Sequence, residues 1–184
     1  MKKLIFAVVI CFALVTNVAL AYEVTPNLDQ GTKQLALSGS YDGNHPLDYQ
    51  LTIQGGFGYF VIDNLEVAGV LGWQSNDVVD YLEAGALVEY NFNFGSAFVP
   101  FVGIGALYTT LEFNDNIYND ADSPDASAWL GRVYAGGKYF VDDNVAIGLS
   151  FNYDYATEAI YGDQDGGFDD YNWKMLLGVQ FYFD

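Results

Sequence analysis

Apolar and polar residues alternate with a period of two along most of the chain, which is the pattern of β-strands that bury one face. In the clearest stretch, residues 145–156, Val, Ile, Leu, Phe or Tyr occupies every second position, and small or polar residues lie between them. Seven more stretches follow the same pattern: 35–41, 49–59, 65–73, 82–92, 100–108, 129–139 and 171–183. The chain is therefore predicted to form eight strands, an even number.

Short and long connections alternate between these strands. Three-residue loops are predicted at 62–64, 95–97 and 142–144, and two of them end in Asn, which tolerates the left-handed conformation of such loops. These loops would place three apolar pairs face to face, namely Val61 with Leu65, Phe94 with Phe98 and Val141 with Val145. The other connections are mostly longer and comprise residues 42–48, 75–80, 114–125 and 157–170.

A short sequence occurs twice. Tyr-Phe-Val-Ile-Asp-Asn at 59–64 recurs as Tyr-Phe-Val-Asp-Asp-Asn at 139–144, and each copy ends at a short loop. We interpret the two copies as hairpins that use the same turn at the same edge of the sheet.

Residue size indicates which face of the sheet points inward. The apolar face is bulky and includes Trp73, Trp129 and Trp173, whereas the opposite face is mostly Gly, Ala, Ser, Thr, Asn and Gln. An eight-stranded barrel has an interior only just wide enough for side chains to fill it, so the bulky face must point outward into lipid. We predict an all-β fold, an eight-stranded antiparallel up-and-down transmembrane β-barrel. A soluble periplasmic ligand-binding barrel is the alternative.

The inward face then carries nearly all the charges of the strands. With the short loop at 142–144, Arg132 lies opposite Asp154, which predicts an ion pair across the two strands. Glu66 also points inward. The predicted ion-pair network of the lumen consists of Arg132, Asp154, Lys138, Lys174, Glu83 and Glu89. We therefore predict a polar, plugged lumen.

Composition narrows the possible partners. The 184 residues correspond to one domain, and 52% are apolar, 17% aromatic and only 16% charged, which argues against disorder. Six basic residues against 24 acidic ones give a net charge of −18. Such a chain repels polyanions, so nucleic acid is excluded as a partner.

The first residues have the features of a cleaved signal peptide. Lys2 and Lys3 precede an apolar run at 4–15, and Ala19-Leu20-Ala21 forms a small-x-small cleavage site, so the signal peptide is predicted to cover 1–21. A short periplasmic segment at 22–32 and the barrel at 33–184 would follow. Cys11, the only cysteine, would leave with the signal, and no disulfide or metal thiolate would remain.

The long connections are acidic and contain no Lys or Arg. Their carboxylates are the ligands that Ca²⁺ or Mg²⁺ takes in proteins, although neither of the two longest connections completes the twelve-residue calcium loop. We expect no resident cofactor, and these divalent ions are the candidate ligands, with solvated loops as the alternative. The candidate metal ligands are Asp120, Asp122, Asp125, Asp163 and Asp165.

Catalytic groups are scarce. His45 is the only histidine, and a Ser-His-acid site would need Ser75 or Ser123 to approach it from another connection. We therefore expect the protein not to be an enzyme.

Three segments resemble the small outer-membrane barrels of the OmpA/OmpX type, and the resemblance covers 22–184. They are Gly-Thr-Lys-Gln-Leu-Ala-Leu-Ser-Gly-Ser at 31–40, Pro-Phe-Val-Gly-Ile-Gly at 100–105 and Gly-Val-Gln-Phe-Tyr-Phe at 178–183. The last is similar to the C-terminal assembly signal Gly-x-x-aromatic-x-aromatic, here Gly178, Phe181 and Phe183. It departs from that pattern in Asp184, which follows it, and in Leu176, where a polar residue is usual.

The resemblance implies a monomeric protein of the outer membrane in the Gram-negative cell envelope, with a structural or interaction role. It also implies the alternative of a lipid A-modifying barrel enzyme. Its implied partners are outer-membrane lipid and lipopolysaccharide, and, during biogenesis, periplasmic chaperones and the outer-membrane assembly machinery. Divalent cations could bridge the acidic loops to lipopolysaccharide phosphates.

Overall fold

The computed structural model describes residues 24–45, 48–76, 79–113, 126–162 and 168–184. Ten strands form in these ranges: β1 (Lys33–His45), β2 (Asp48–Ile62), β3 (Leu65–Ser75), β4 (Val79–Asn91), β5 (Phe98–Phe113), β6 (Ala126–Asp142), β7 (Val145–Ala156), β8 (Tyr161–Gly162), β9 (Phe168–Asp169) and β10 (Tyr171–Phe183). Within this described part of the chain, no helix is long and apolar enough to cross a membrane.

Eight of these strands close into one antiparallel barrel. Their order around the wall is β1-β10-β7-β6-β5-β4-β3-β2, so β10 closes the barrel against β1. The predicted eight-stranded up-and-down barrel is confirmed. The short hairpin β8–β9, which pairs apart from the barrel, was not predicted, because two-residue strands leave no alternation to detect.

Exposure alternates along the strands as the sequence pattern predicts. On β7, Leu149 and Phe151 are 47% and 49% exposed, whereas Asn152 and Asp154 are 3% and 0% exposed. The three tryptophans all lie on the outer face and are at least 40% exposed. The bulky apolar side chains therefore form the outer surface, as expected for a barrel surrounded by lipid.

The register agrees with the prediction along the strands and differs from it at the turns. Arg132 pairs with Asp154, as predicted. At the β2–β3 turn, however, Ile62 pairs with Leu65, and Val61 becomes an extra, bulged residue. The predicted pair Val61–Leu65 is therefore wrong, because a bulge takes up the residue that the three-residue loop would have used.

The other two short loops also differ from prediction. Asp142 pairs with Val145, so the predicted Val141–Val145 pair is replaced by the same kind of bulge. The pair Phe94–Phe98 does not form, because β4 already ends at Asn91. The left-handed conformation expected at the end of the loop occurs at Asn64 (φ 66°) but not at Asn144, and in the 95–97 loop it occurs at the first residue, Gly95 (φ 70°).

Glycines make room for large side chains in the interior. A Cβ atom added to Gly103 would overlap the ring of Tyr134, and one added to Gly105 would overlap Leu87. At each glycine, a larger inward side chain from a neighbouring strand occupies the space that a side chain at that position would fill. This pairing of small with large residues lets a narrow barrel hold aromatic and charged groups together.

Candidate functional site

Arg132 lies at the centre of a buried set of ion pairs. Its Nε donates to Asp154 Oδ1 at 2.6 Å and its Nη2 to Glu83 Oε2 at 2.9 Å. Its Nη1 donates to Gln54 Oε1 at 2.8 Å. Arg132 and Asp154 are direct cross-strand partners, so the guanidinium lies close enough to bind both oxygens of the carboxylate.

Lys174 on β10 completes the charge balance of this set. Its Nζ lies 3.0 Å from Glu83 Oε1 and 3.3 Å from Asp154 Oδ2. We name Arg132, Lys174, Glu83 and Asp154 the upper cluster, since it lies nearer the end of the barrel with the long connections. Two cations and two anions, all almost completely buried, thus neutralise one another across four strands.

A second set of charges, the lower cluster, consists of Lys138, Glu89 and Glu66. Lys138 Nζ lies 2.6 Å from Glu89 Oε1 and 3.8 Å from Glu66 Oε2. It also lies 5.3 Å from the ring centroid of Phe101 and 5.6 Å from that of Tyr182. One ammonium group therefore interacts with two carboxylates and with the faces of two aromatic rings, which attract cations.

Gln34 links the lower cluster to the first strand. Its amide fits with the nitrogen 2.6 Å from Glu66 Oε1 and the oxygen 3.3 Å from Lys138 Nζ. The six network residues picked from the sequence thus all lie in the lumen, but in two clusters. Gln34 and Gln54 were missed, although both occupy inward positions of the alternating pattern and could have been found from it.

Apolar side chains pack together inside the lower end of the barrel, where the β2–β3 and β6–β7 turns lie. Phe60 and Phe140 are 0% exposed there and pack with Tyr182, whose ring lies 5.1 Å from that of Phe140. Leu28, from the segment that precedes β1, is 1% exposed and joins them. The lumen is thus more apolar here than the sequence suggested.

At the upper end, residues 160 and 161, which follow β7, pack against β4. Tyr161 stacks on Tyr81 at 6.0 Å, and the Tyr81 hydroxyl donates to the carbonyl oxygen of Ile160 at 3.0 Å. Burial raises the pKa of the Tyr161 phenol above its usual range, so this group stays neutral. A cavity of about 80 Å³ remains inside the barrel, lined by both Gln34 and Glu66.

The proposed assembly signal lies on the closing strand. Phe181 and Phe183 are 48% and 43% exposed on the outer face of β10. Gly178 pairs with Ser38 of β1, and a Cβ atom on it would lie 2.6 Å from the carbonyl oxygen of Leu37. Close approach of the first and last strands therefore depends on glycine at this position.

Other predicted site residues fall outside the described part of the chain. These are the signal peptide, Ser123 and the five candidate metal ligands, Asp120, Asp122, Asp125, Asp163 and Asp165. His45 lies at the end of β1, and Ser75, at the end of β3, is 8% exposed. In the ranges that are described, no group of three or more His, Cys, Asp or Glu side chains is placed to hold a metal ion.

The closed barrel and its outward apolar face define a membrane β-barrel, and comparison with known proteins identifies the family. Residues 5–181 match the outer membrane protein beta-barrel domain family, and the chain belongs to that family. It is an outer-membrane protein, and the soluble alternative is wrong. No curated protein matched the chain.

Solved structures of bacterial outer-membrane proteins share the fold. The N-terminal β-barrel domain of OprF from Pseudomonas aeruginosa is 21% identical with a TM-score of 0.63, and the match covers 84% of this chain and 98% of that one. OprG from the same organism is 17% identical with a TM-score of 0.58, covering 87% and 99%. Ail, the attachment invasion locus protein of Yersinia pestis, is 15% identical with a TM-score of 0.51, covering 84% and 99%.

Proposed function

We propose that this protein is a structural and interaction barrel with a plugged lumen, and that its acidic outer loops bind divalent cations. The observation that carries the proposal is the filling of the lumen along its length. Apolar side chains lie at both ends, and the upper and lower clusters lie between them. The cavity of about 80 Å³ found among the described residues has room for a few water molecules, which is far from an aqueous pore.

The buried ion pairs support a permanently closed lumen. Opening a path through the upper cluster would separate Arg132 from Asp154 and Glu83, and an uncompensated buried charge costs about 3–5 kcal/mol. Water entering the lumen would offset part of this cost by hydrating the separated charges. It would also have to displace the apolar side chains at both ends of the lumen. In this proposal the filled barrel is a rigid support for the outer connections and for the surface that faces lipid.

Planar lipid bilayers test the plug directly. The purified wild-type protein is expected to show no large, stable, porin-like conductance, because side chains fill the lumen. Addition of the same detergent without protein is the control. A steady, wide open state of the wild type would contradict the plug.

The acidity of the outer connections supports cation binding. Residues 42–48, 75–80, 114–125 and 157–170 contain 13 Asp and Glu residues and no Lys or Arg. Carboxylates concentrated in these connections would repel one another, and bound Ca²⁺ or Mg²⁺ would relieve the repulsion. We propose that such ions bridge the loops to the phosphates of lipopolysaccharide.

The cation proposal predicts a specific response to Ca²⁺. At matched ionic strength, Ca²⁺ but not a monovalent salt is expected to protect residues 114–125 and 157–170 from protease. The variants Asp120→Asn/Asp122→Asn and Asp163→Asn/Asp165→Asn should each lose most of the protection at their own loop. A variant that loses two charges at the other end of the barrel, Asp29→Asn/Asp184→Asn, is the matched control. Equal protection by both salts would show only general screening and refute the cation site.

The same acidity argues against a polyanionic partner for this chain. Ail has been solved in complex with the heparin analogue sucrose octasulfate. The outer connections of the present chain carry no basic residue, so a sulfated ligand would be repelled. Outer-membrane lipid and lipopolysaccharide, reached through divalent cations, are the proposed partners. The assembly machinery and periplasmic chaperones would act during biogenesis, and the assembled protein would be a monomer without enzymatic activity.

A further inference from the structure

The segment that precedes β1 is attached to both copies of the repeated hexapeptide. Residues 24–32 cross the lower mouth of the barrel, where the β2–β3 turn (Asp63 and Asn64) and the β6–β7 turn (Asp143 and Asn144) lie. We call residues 24–32 the strap. The repeat in the sequence therefore has a shared binding partner in the structure.

At the β6–β7 turn, the backbone of the strap binds an aspartate. The N–H of Thr25 donates to Asp143 Oδ1 at 2.8 Å. The N–H of Asn27 donates to the carbonyl oxygen of Asp143 at 3.0 Å, and the Asn27 side chain donates to Asn144 Oδ1 at 3.0 Å. A charged acceptor makes the first of these bonds stronger than a neutral one would.

The β2–β3 turn binds the strap in a corresponding way. The N–H of Gln30 donates to Asp63 Oδ1 at 2.9 Å, and the N–H of Asn64 donates to the carbonyl oxygen of Leu28 at 2.8 Å. Asp63 and Asp143 are the fifth residues of the two hexapeptides. Each copy thus presents its aspartate carboxylate to one backbone N–H group of the strap.

Leu28 lies between the two attachment points and enters the barrel. It packs in the same apolar cluster as Phe60 and Phe140, the second residues of the two hexapeptides. All three side chains are at most 1% exposed. The repeated sequence therefore supplies both a carboxylate at the rim and an aromatic wall beneath it.

We propose that the two Tyr-Phe-Val-x-Asp-Asn turns form a two-point binding site for a peptide segment, occupied by the strap of the same chain. The site takes a segment with two backbone N–H groups five residues apart, at Thr25 and Gln30, and a leucine between them. The carboxylates bind the N–H groups, and the leucine fills the mouth.

The position of the strap gives this site a role in closing the barrel. Around the wall, the β2–β3 hairpin lies on one side of the β1–β10 seam and the β6–β7 hairpin on the other. The β1–β10 ladder runs only from the Lys33–Phe183 pair to the Gly39–Leu177 pair, whereas β1 stays paired with β2 as far as His45. The strap thus ties the two sides of the seam together by a connection that does not use the seam's own ladder.

Hydrogen exchange of the strap amides in the folded full-length protein tests the site. In the wild type, the amides of Thr25, Asn27 and Gln30 are expected to be protected. Asp143→Ala should speed exchange at Thr25 by about tenfold, since a hydrogen bond to a charged group is lost. Asp63→Ala should do the same at Gln30, and the double variant should release the whole strap.

Asp142→Ala is the matched control, because Asp142 lies in the same turn but its side chain, among the described residues, accepts from the N–H of Asn144 within that turn and not from the strap. It should leave the exchange of Thr25 unchanged. Protection of the amides in β6 and β7 shows in each sample whether the barrel itself is folded. Exchange of the wild-type strap at the rate of an unstructured peptide would overturn the proposal, and so would an effect of Asp142→Ala equal to that of Asp143→Ala.

Discussion

Replacing Arg132 with Met is expected to lower the free energy of unfolding by about 3–5 kcal/mol, as is typical when one partner of a buried ion pair is removed. The variant leaves Glu83 and Asp154 with Lys174 as the one remaining cation of the upper cluster. Gln54 also loses the donor to its side-chain oxygen. Urea titrations of the protein folded into lipid vesicles measure the loss.

A double variant separates lost charge balance from lost packing. Arg132→Met/Asp154→Asn removes one charge of each sign and keeps the Lys174–Glu83 pair, 3.0 Å apart. It should recover most of the stability lost in the single variant. A single variant that loses less than about 1 kcal/mol, the value of an exposed pair, would contradict the buried network.

Placing a charge on the outer face should also be costly. Leu149→Arg, near the middle of β7, is expected to lower the free energy of unfolding in bilayers by about 2–4 kcal/mol, because the charge lies at lipid depth. Val141→Arg, close to the β6–β7 turn, is the matched control and should cost about 0–1 kcal/mol near the interface. Both native side chains are about half exposed on the outer face. If the two substitutions cost the same, Leu149 does not face the hydrocarbon.

The strands and their faces could be predicted from the sequence because both depend on local pattern. An alternation such as that of Leu149, Asn152 and Asp154 determines which side chains share a face, and the narrow interior determines which face is outside. Cross-strand partners such as Arg132 and Asp154 followed once the turn was placed. The bulges at Val61 and Val141 could not be placed this way, since they depend on the twist that the turn needs.

The two ends of the lumen were not predicted, because their contacts join distant parts of the chain. Nothing in the pattern around Leu28 indicates that it packs against Phe60 and Phe140. The charges divide into two clusters because of the tilt and stagger of the strands. The alternation of apolar and polar residues does not indicate either of these. The room for Tyr134 comes from Gly103 on the neighbouring strand, a relation visible only in the register.

The placement of the basic residues has a consequence for how copies of the protein behave toward one another. After residue 3 the chain has four Lys or Arg residues, and Arg132, Lys138 and Lys174 are used inside the lumen, which leaves Lys33 as the only one on the outside. Apart from Lys2 and Lys3, a copy therefore offers a neighbouring copy one positive side chain, Lys33, for a direct salt bridge. In the plane of the membrane, identical molecules repel one another over about one Debye length, roughly 8 Å at physiological salt. This repulsion limits how closely copies of the protein pack in the membrane, and dissolved salt weakens it.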